Sequence, residues 1–454
     1  MSSADPWDVI VVGAGAAGLF AAMSAAEKGL RVLVVEKNRR PGVKILMSGG
    51  TRCNLTNARG LRRMEHVKGP IDPAFDTRQL QGIRAIQAAF SPHAGRFLGP
   101  SLKAFDVDAT VEWFETHGVR TKVEANGKIF PASDKAADVL AALENSVRKA
   151  KAEIRTLQPV TKLSFDASVS LFEVTTPADS YLARRVVLAT GGRSYPGCGT
   201  TGDGYAMASA FGHTIVETKP ALVPIVVSDD WVRDCRGITL SDVAVKVTDA
   251  FGKIVDERRE SLLFAHFGLT GPAILDVSRE PARTGSTRGW TVRVDLLPDD
   301  SADVFEQKLI EASRKGRSNL ARLLPENIPN RIKEHVLAHC GLSPTAIAAE
   351  LPRDKRRALV AALKSLTMPI ASTLGFEKAE VTSGGVKLDE VDSKTLESRL
   401  RPGLHLIGEV LDIDGRIGGY NFQAAWSMGR LVGSALGAMI APSAPTELSG
   451  TITG

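Results

Sequence analysis

The pattern of apolar and polar positions divides the chain into three kinds of stretch. The first opens with Val9, Ile10, Val11 and Val12, four β-branched residues in a row that read as a short buried strand. An Ala-rich run of helical spacing follows and stops at Gly29, and residues 32–35 form a second β-branched run. The spacing then predicts helices over 80–90, 108–117 and 133–149, and a hairpin over 119–130 turning at Asn126-Gly127. Strands are expected over 153–157, 171–176 and 181–192. From about Lys219 the runs are short and β-branched, at 222–227, 243–247 and 290–296, which predicts a small antiparallel β domain. Residues 301–366 carry helical periodicity alone, at 304–313, 320–324, 331–339 and 353–366, the pattern of a small bundle. After Pro369 the opening character returns, with a strand over 404–407 and a long final helix from about Gly418.

This succession predicts an α/β protein whose first domain is interrupted and then completed. The expected parts are 1–193 and 381–440 for the nucleotide-binding domain, 194–300 with 367–380 for an inserted β domain, and 301–366 for a helical subdomain. Residues 441–454, rich in Ser, Pro, Thr and Gly, are expected to be disordered.

The chemistry gathers at both ends of the interrupted domain. Gly13-Ala14-Gly15-Ala16-Ala17-Gly18 stands between the first strand and the first helix, the context a dinucleotide fingerprint requires. Gly13 permits the turn, Gly15 lets backbone approach a pyrophosphate, and Gly18 lets helix and strand pack closely. Glu36, eighteen residues past Gly18 and followed by Lys37, is placed to accept the hydroxyls of an adenosine ribose. An acid there repels a 2′-phosphate, so the turn favours FAD or NAD over NADP. The polar loop that follows offers Lys44 and Arg52 to phosphate or to an electron-rich ring edge. Its Ser48, Gly49 and Gly50 allow close backbone approach, Asn54 offers an amide, and Cys53 is adjacent. Near the other end, Gly408-Glu409 closes a short strand. A loop with Asp412 follows, and Gly418-Gly419-Tyr420-Asn421-Phe422 opens the last helix. A carboxylate for ribityl hydroxyls and helix N-terminal N–H groups aimed at a flavin's N1 and C2=O are the expected roles. Thr190, Gly191 and Gly192 lie at a strand's carboxyl end, where such folds place ligands.

A second literal GxGxxG, at Gly197, Gly199 and Gly202, is not read as a separate nicotinamide domain. The preceding strand ends too early, and no Val/Ile-rich strand with a terminal acid follows in register. His266, before a Gly-Pro helix opening, is the acid/base candidate of the inserted half, and a structural His capping that helix is its alternative reading.

Composition narrows the classes. A 43% hydrophobic and 24% charged chain of 454 residues has the make-up of a globular protein of two or three domains. The first residues are too few and polar for a signal peptide, and no apolar run reaches spanning length, so a cytoplasmic protein with no membrane partner is expected. Four scattered cysteines without a CxxC pair argue against a zinc site, a disulfide framework or a dithiol centre, and no metal is expected. The net charge of +6 (pI about 9.1) reads as a mixed surface. The densest basic cluster, Arg353 to Arg357 with Lys364, lacks interleaved aromatics, so a nucleic-acid partner is not expected.

Together, GAGAAG from Gly13, KILMSGGTRCNLTN from Lys44, GKIFPASDKAADV from Gly127, TGGRSYPGCGTTGDGY from Thr190, HFGLTGPA from His266, VTSGGV from Val381 and GEVLDIDGRIGGYNFQAAWSMG from Gly408 resemble the BaiN/YhiN-like NAD(P)/FAD-dependent oxidoreductases, also labelled aminoacetone-oxidase-type flavoproteins. Thr51 stands where many relatives have a third Gly. The resemblance implies a Rossmann-like FAD domain of the glutathione-reductase/fumarate-reductase type, interrupted by β and helical segments. It implies that Asp203 sits beside the FAD, that the backbone of Val160 bonds adenine, and that NAD(P)H or the substrate reduces the flavin. The expected activity is hydride transfer between a small organic substrate and flavin N5, with His266 or Tyr420 delivering a proton. An NAD(P)H-driven enone reductase and an oxygen-using amine oxidase are both open, as are a non-catalytic flavin-bearing protein whose basic surface binds nucleic acid or a protein partner and an NAD dehydrogenase without flavin. Substrate and oligomeric state are left undetermined.

Overall fold

A computed structural model describes residues 5–314 and 319–440. The expected disordered tail, 441–454, lies outside the described residues. The described residues form two compact units, one of residues 5–191, 202–216 and 385–440, the other of 192–201, 217–314 and 319–384.

In the first unit, strand Trp7–Val12 is central to a seven-stranded sheet, parallel to Val32–Val35 on one side and to Ser180–Leu188 on the other. Glu153–Arg155 extends the sheet beyond Val32–Val35, and Leu404–Leu406 runs parallel to the second half of Ser180–Leu188. The first half of that strand pairs instead with an antiparallel meander, Leu171–Thr175 and Lys162–Asp166. Val9 to Val12 and Val32 to Val35 are all buried, so both faces of these strands are covered. That is why these runs do not alternate with polar residues.

The helices Ala16–Ala26 and Tyr420–Ile440 pack along a seam of small residues. Cβ atoms added at Gly429 and Gly433 would stand 2.7 Å from Ala17 O and 2.4 Å from Ser24 Cβ, the latter also 2.8 Å from Ala25 N. Glycine at this four-residue spacing lets two backbones approach closer than side chains permit. Phe20, on the first helix, meets Phe105, Trp113 and Trp426 with ring centroids 4.9, 5.0 and 5.8 Å away.

The second unit is built on a closed antiparallel barrel: Ile225–Val227, Gly268–Thr270, Ile254–Ala265, Thr239–Thr248, Thr291–Asp295 and Leu366–Thr373. Val243, Val245 and Val247 alternate inward with Leu262, Phe264, Val292, Val294 and Met368. Two sequence expectations are corrected here. The helices over 302–364 are not an independent bundle, since Phe305, Leu309, Ile332, Val336, Leu359 and Leu363 join the barrel's own hydrophobic core. A lone bundle of such short helices would leave one apolar stripe wet, and the barrel wall covers it. Residues 202–216 belong to the first unit, not to the insertion. Gly204 explains this: an added Cβ would meet Thr190 Oγ1 at 2.1 Å and Val410 Cγ2 at 3.1 Å, so helix Asp203–Ser209 seats tightly on first-unit residues.

Two expected outcomes follow. Gly433→Ala forces Cβ against the backbone of the first helix and is expected to cost about 1–3 kcal/mol. Gly437→Ala meets the Cγ and Cβ of Lys28 at 2.6 and 2.7 Å and no backbone atom as near, so it is expected to cost less than Gly433→Ala in urea unfolding. The second outcome concerns acid. His405 is buried in strand Leu404–Leu406, and burial pushes its imidazole from 6.5 down to about 4. Burial also lowers His213, despite Glu390 Oε2 lying 3.1 Å from its Nδ1. Both are neutral in the fold and take up protons on unfolding, so the unfolded chain binds more protons between pH 6.5 and about 4. Stability therefore falls as pH drops through that window, by up to about 3 kcal/mol for His405. Urea midpoints at pH 7 and pH 5 measure it, and His405→Leu is expected to flatten the difference.

Candidate functional site

The glycine-rich turn has three different local geometries. Gly13 has φ +103°, and a Cβ on it would stand 2.6 Å from Ala189 O. At Gly18 a Cβ would stand 1.9 Å from Gly13 O. At Gly15 a Cβ would meet nothing within 4 Å, so the space above that residue is open. Gly13 N–H bonds Val35 O at 2.8 Å and Ala14 N–H bonds Glu36 Oε2 at 2.7 Å. The N–H groups from Gly15 to Ala17 belong to the helix start, where no residue of the helix can accept them. They face the open side of the turn at the positive end of the helix dipole, where a pyrophosphate fits. Glu36 is buried, and its Oε1 also accepts from Asn38 N at 2.8 Å. Both oxygens are thereby oriented and keep lone pairs for ribose hydroxyls. Gln158 N–H bonds Glu36 O, which sets Val160 on the same edge of the sheet.

Residues 43–51 form a helix only in part. Ser48 has ψ 150°, and Gly49 and Gly50 turn left-handed at φ +55° and +67°, followed by Thr51 at +68° and Cys53 at +60°. The chain doubles back here, and a Cβ at Gly50, like one at Gly15, would meet open space. Cys53 is fully buried, and burial pushes its thiol up to about 12. It is a neutral packing group in this setting. Arg52 lies with its guanidinium 4.0 Å over the Phe130 ring and with Nη1 2.6 Å from Glu124 Oε1 and 3.3 Å from Asp134 Oδ1.

The second expected cluster, near the C-terminus, comes to this one through specific hydrogen bonds. With its amide nitrogen toward the carbonyls, Asn54 donates to Thr56 O at 3.0 Å and Ile129 O at 3.2 Å and accepts from Gly419 N–H at 2.9 Å. Asn57 Nδ2 donates to Gly418 O at 3.1 Å, Thr56 Oγ1 to Gln423 Oε1 at 2.7 Å, and Trp426 Nε1 to Leu55 O at 3.0 Å. Gly418 and Gly419 are left-handed, and a Cβ at Gly419 would stand 2.5 Å from Thr56 O. Asn421 closes the loop, accepting from Gly415 N at 2.8 Å and donating to Gly415 O at 3.0 Å. Tyr420, buried at the helix start, lies against Gly418, and Phe422 stacks on Trp426 with centroids 5.3 Å apart.

Charged residues named from the two halves also meet. Lys44 Nζ lies 2.8 Å from Glu409 Oε2, and Lys37 pairs with Asp203 at the start of helix Asp203–Ser209. Asp412 N–H bonds Val386 O. Thr190 and Gly191 follow strand Ser180–Leu188 in the first unit, whereas Gly192 begins a segment of the second. His266 lies in the second unit, exposed in the turn between Ile254–Ala265 and Gly268–Thr270, its ring edge-on to Phe267 at 5.0 Å. The second GxGxxG forms no nucleotide turn: Pro196–Cys198 is a single 3-10 turn, and Gly199 and Gly202 are left-handed.

Sequence reasoning missed Thr56, Asn57, Gln423 and Trp426. Each reads locally as an ordinary polar or core residue, and only the pairing across more than 360 positions reveals its role. The residues present fit a flavin adenine dinucleotide. Gly15 to Ala17 suit its pyrophosphate and Glu36 its ribose, and Lys44 and Glu409, paired at 2.8 Å, belong to the same unit.

The HI0933-like protein Rossmann domain matches residues 7–74 and 83–435. A ribosomal RNA dihydrouridine synthase of Escherichia coli K12 is 32% identical over 425 residues, 93% of this chain and 96% of that protein. A 3-dehydro-bile acid delta(4,6)-reductase of Clostridium scindens is 32% identical over 431 residues, 94% of this chain and 98% of that one. Among solved structures, a 3-ketosteroid-delta4-(5alpha)-dehydrogenase from Rhodococcus jostii RHA1 shares the fold at TM-score 0.52, with 16% identity and 96% and 98% of the two chains covered. Among the described residues, no helix is long and apolar enough to cross a membrane. The nucleotide turn, its ribose acid and a family match spanning both units make this chain a member of the HI0933-like Rossmann-domain family and an FAD-dependent oxidoreductase.

Proposed function

We propose that this protein saturates a carbon–carbon double bond conjugated with a carbonyl group, with NAD(P)H as the source of electrons. One observation carries the reading: relatives of equal identity are named for a dihydrouridine synthase and for an unsaturated bile-acid reductase. Those two names describe one transformation, the saturation of a ring alkene activated by a carbonyl, on unlike skeletons. Bound FAD supplies the hydride-carrying ring. The protein's own residues bind and orient. Gly15 to Ala17 take the pyrophosphate, Glu36 the ribose, and Lys44 and Glu409 the chain between pyrophosphate and ring. The positive end of the helix Tyr420–Ile440 favours negative charge on a reduced ring. Tyr420 is the proton donor we favour, because it belongs to the turn held by Asn54 and Asn57, whereas His266 stands exposed on a hairpin.

Uridine in RNA is the substrate supported by two relatives and by the net charge of +6, and an enone-bearing small molecule is the alternative. The test is anaerobic. Holoprotein mixed with NADH or NADPH should lose its oxidised-flavin absorbance. Added protein-free ribosomal RNA or a steroid enone should restore it, with product heavier by two hydrogens. Reduction by an amine such as aminoacetone, and not by either nicotinamide, would overturn the reading in favour of an amine oxidase.

Two variants sharpen it. Gly15→Val meets open space at its Cβ in the apoprotein and is expected to match the thermal midpoint of the FAD-stripped parent while failing to retain FAD, read from flavin content after purification. Tyr420→Phe is expected to retain FAD and its reduction by NAD(P)H, but to slow substrate saturation by about 100-fold or more in single turnover.

A further inference from the structure

The chain's positive excess is concentrated in one place. Residues 301–366 hold twelve Lys and Arg against seven Asp and Glu, so about a seventh of the chain carries five of its six net charges. In the second unit, helices Ala302–Arg314 and Arg353–Lys364 run antiparallel. Arg356 Nε meets Glu306 Oε1 at 3.0 Å, and two turns later Lys364 Nζ meets Asp300 O at 2.5 Å. That direction brings Arg314, last in one helix, and Arg353, first in the other, to the same end. Leu309, Leu320 and Leu351 line one cavity there, and Leu320 opens the short helix that carries Arg322.

Arg314, Arg322, Arg353 and Arg357 are exposed. Among the described residues no carboxylate lies within ion-pair reach of the first three, and Arg357 has only Glu306 at 3.9 Å, which Arg356 already engages. Three guanidinium groups are thus carried by packed helices without a carboxylate partner among the described residues, and a fourth shares one. One aromatic pair packs against the same helical segment. Trp231 stacks on His335 of helix Asn330–His339, with centroids 3.7 Å apart and planes 11° apart, beside exposed Arg331. A membrane surface would require apolar side chains among the arginines. The large apolar residue exposed in these helices is Val304, at the opposite end.

We propose that this arginine-bearing end of the helical segment grips the phosphate backbone of an RNA substrate. The inference rests on the uridine arm of the proposed reaction and assigns its binding surface. Arginine suits the role because its fork donates two parallel hydrogen bonds to phosphate and stays charged. Each neutralised phosphate releases counterions, which makes the contact visible as salt dependence.

The experiment titrates FAD-loaded parent and the triple variant R314E/R353E/R357E with fluorescently labelled, protein-free ribosomal RNA at several salt concentrations. The variant is expected to bind at least about tenfold more weakly, with a log K against log salt slope shallower by about 2. Flavin reduction by NAD(P)H and the thermal midpoint should match the parent. Equal RNA affinity in parent and variant would overturn the assignment, as would a parent that binds phosphatidylglycerol vesicles but not RNA. A parent that saturates an enone and ignores RNA would end this inference and leave the reaction class standing. RNA bound through these arginines with no double bond saturated would do the reverse.

Discussion

The first unit depends on joining two segments more than 360 residues apart. Asn54 to Asn57 and Gly418 to Trp426 share four hydrogen bonds, and a side chain at Gly419 would collide with Thr56 O. Buried amide and hydroxyl groups of this kind cost free energy when unpaired, so each segment specifies the position of the other. The glycine seam between helices Ala16–Ala26 and Tyr420–Ile440 makes that meeting possible. Without close approach of the two backbones, the bonds between the loops could not form.

Electrostatics follow the same joining. Lysines from the N-terminal segment, Lys37 and Lys44, pair with Asp203 and Glu409 from much later in the chain. These partly exposed pairs contribute little to stability. Their effect is to tie the N-terminal segment to residues much later in the chain. Glu36 is held differently: its carboxylate accepts two backbone N–H groups and is oriented before any ribose arrives. Cys53 is fully buried, and burial pushes its thiol up to about 12, which keeps it protonated at neutral pH.

The second unit is organised by a different constraint. A six-stranded barrel encloses few residues, and it gains a larger core by sharing it with the helices of the same unit. Lys364 illustrates the join, donating to Leu297 O at 2.6 Å and pairing with Asp295 Oδ2 at 2.6 Å.

The nucleotide turn, its ribose acid, the interruption of the first unit and the return of its pattern after Pro369 were legible in the sequence. They depend on local rules: a glycine where φ must be positive, β-branched runs where both sheet faces are covered, and periodicity where one helix face is dry. Closure of the barrel, the merging of helices into its core and the placement of residues 202–216 with the first unit were decided by tertiary structure. They depend on which apolar surfaces cover one another, and no local pattern encodes that. Thr56 and Gln423 belong to the same class: each is an ordinary polar residue in sequence, and only the fold puts their oxygens 2.7 Å apart.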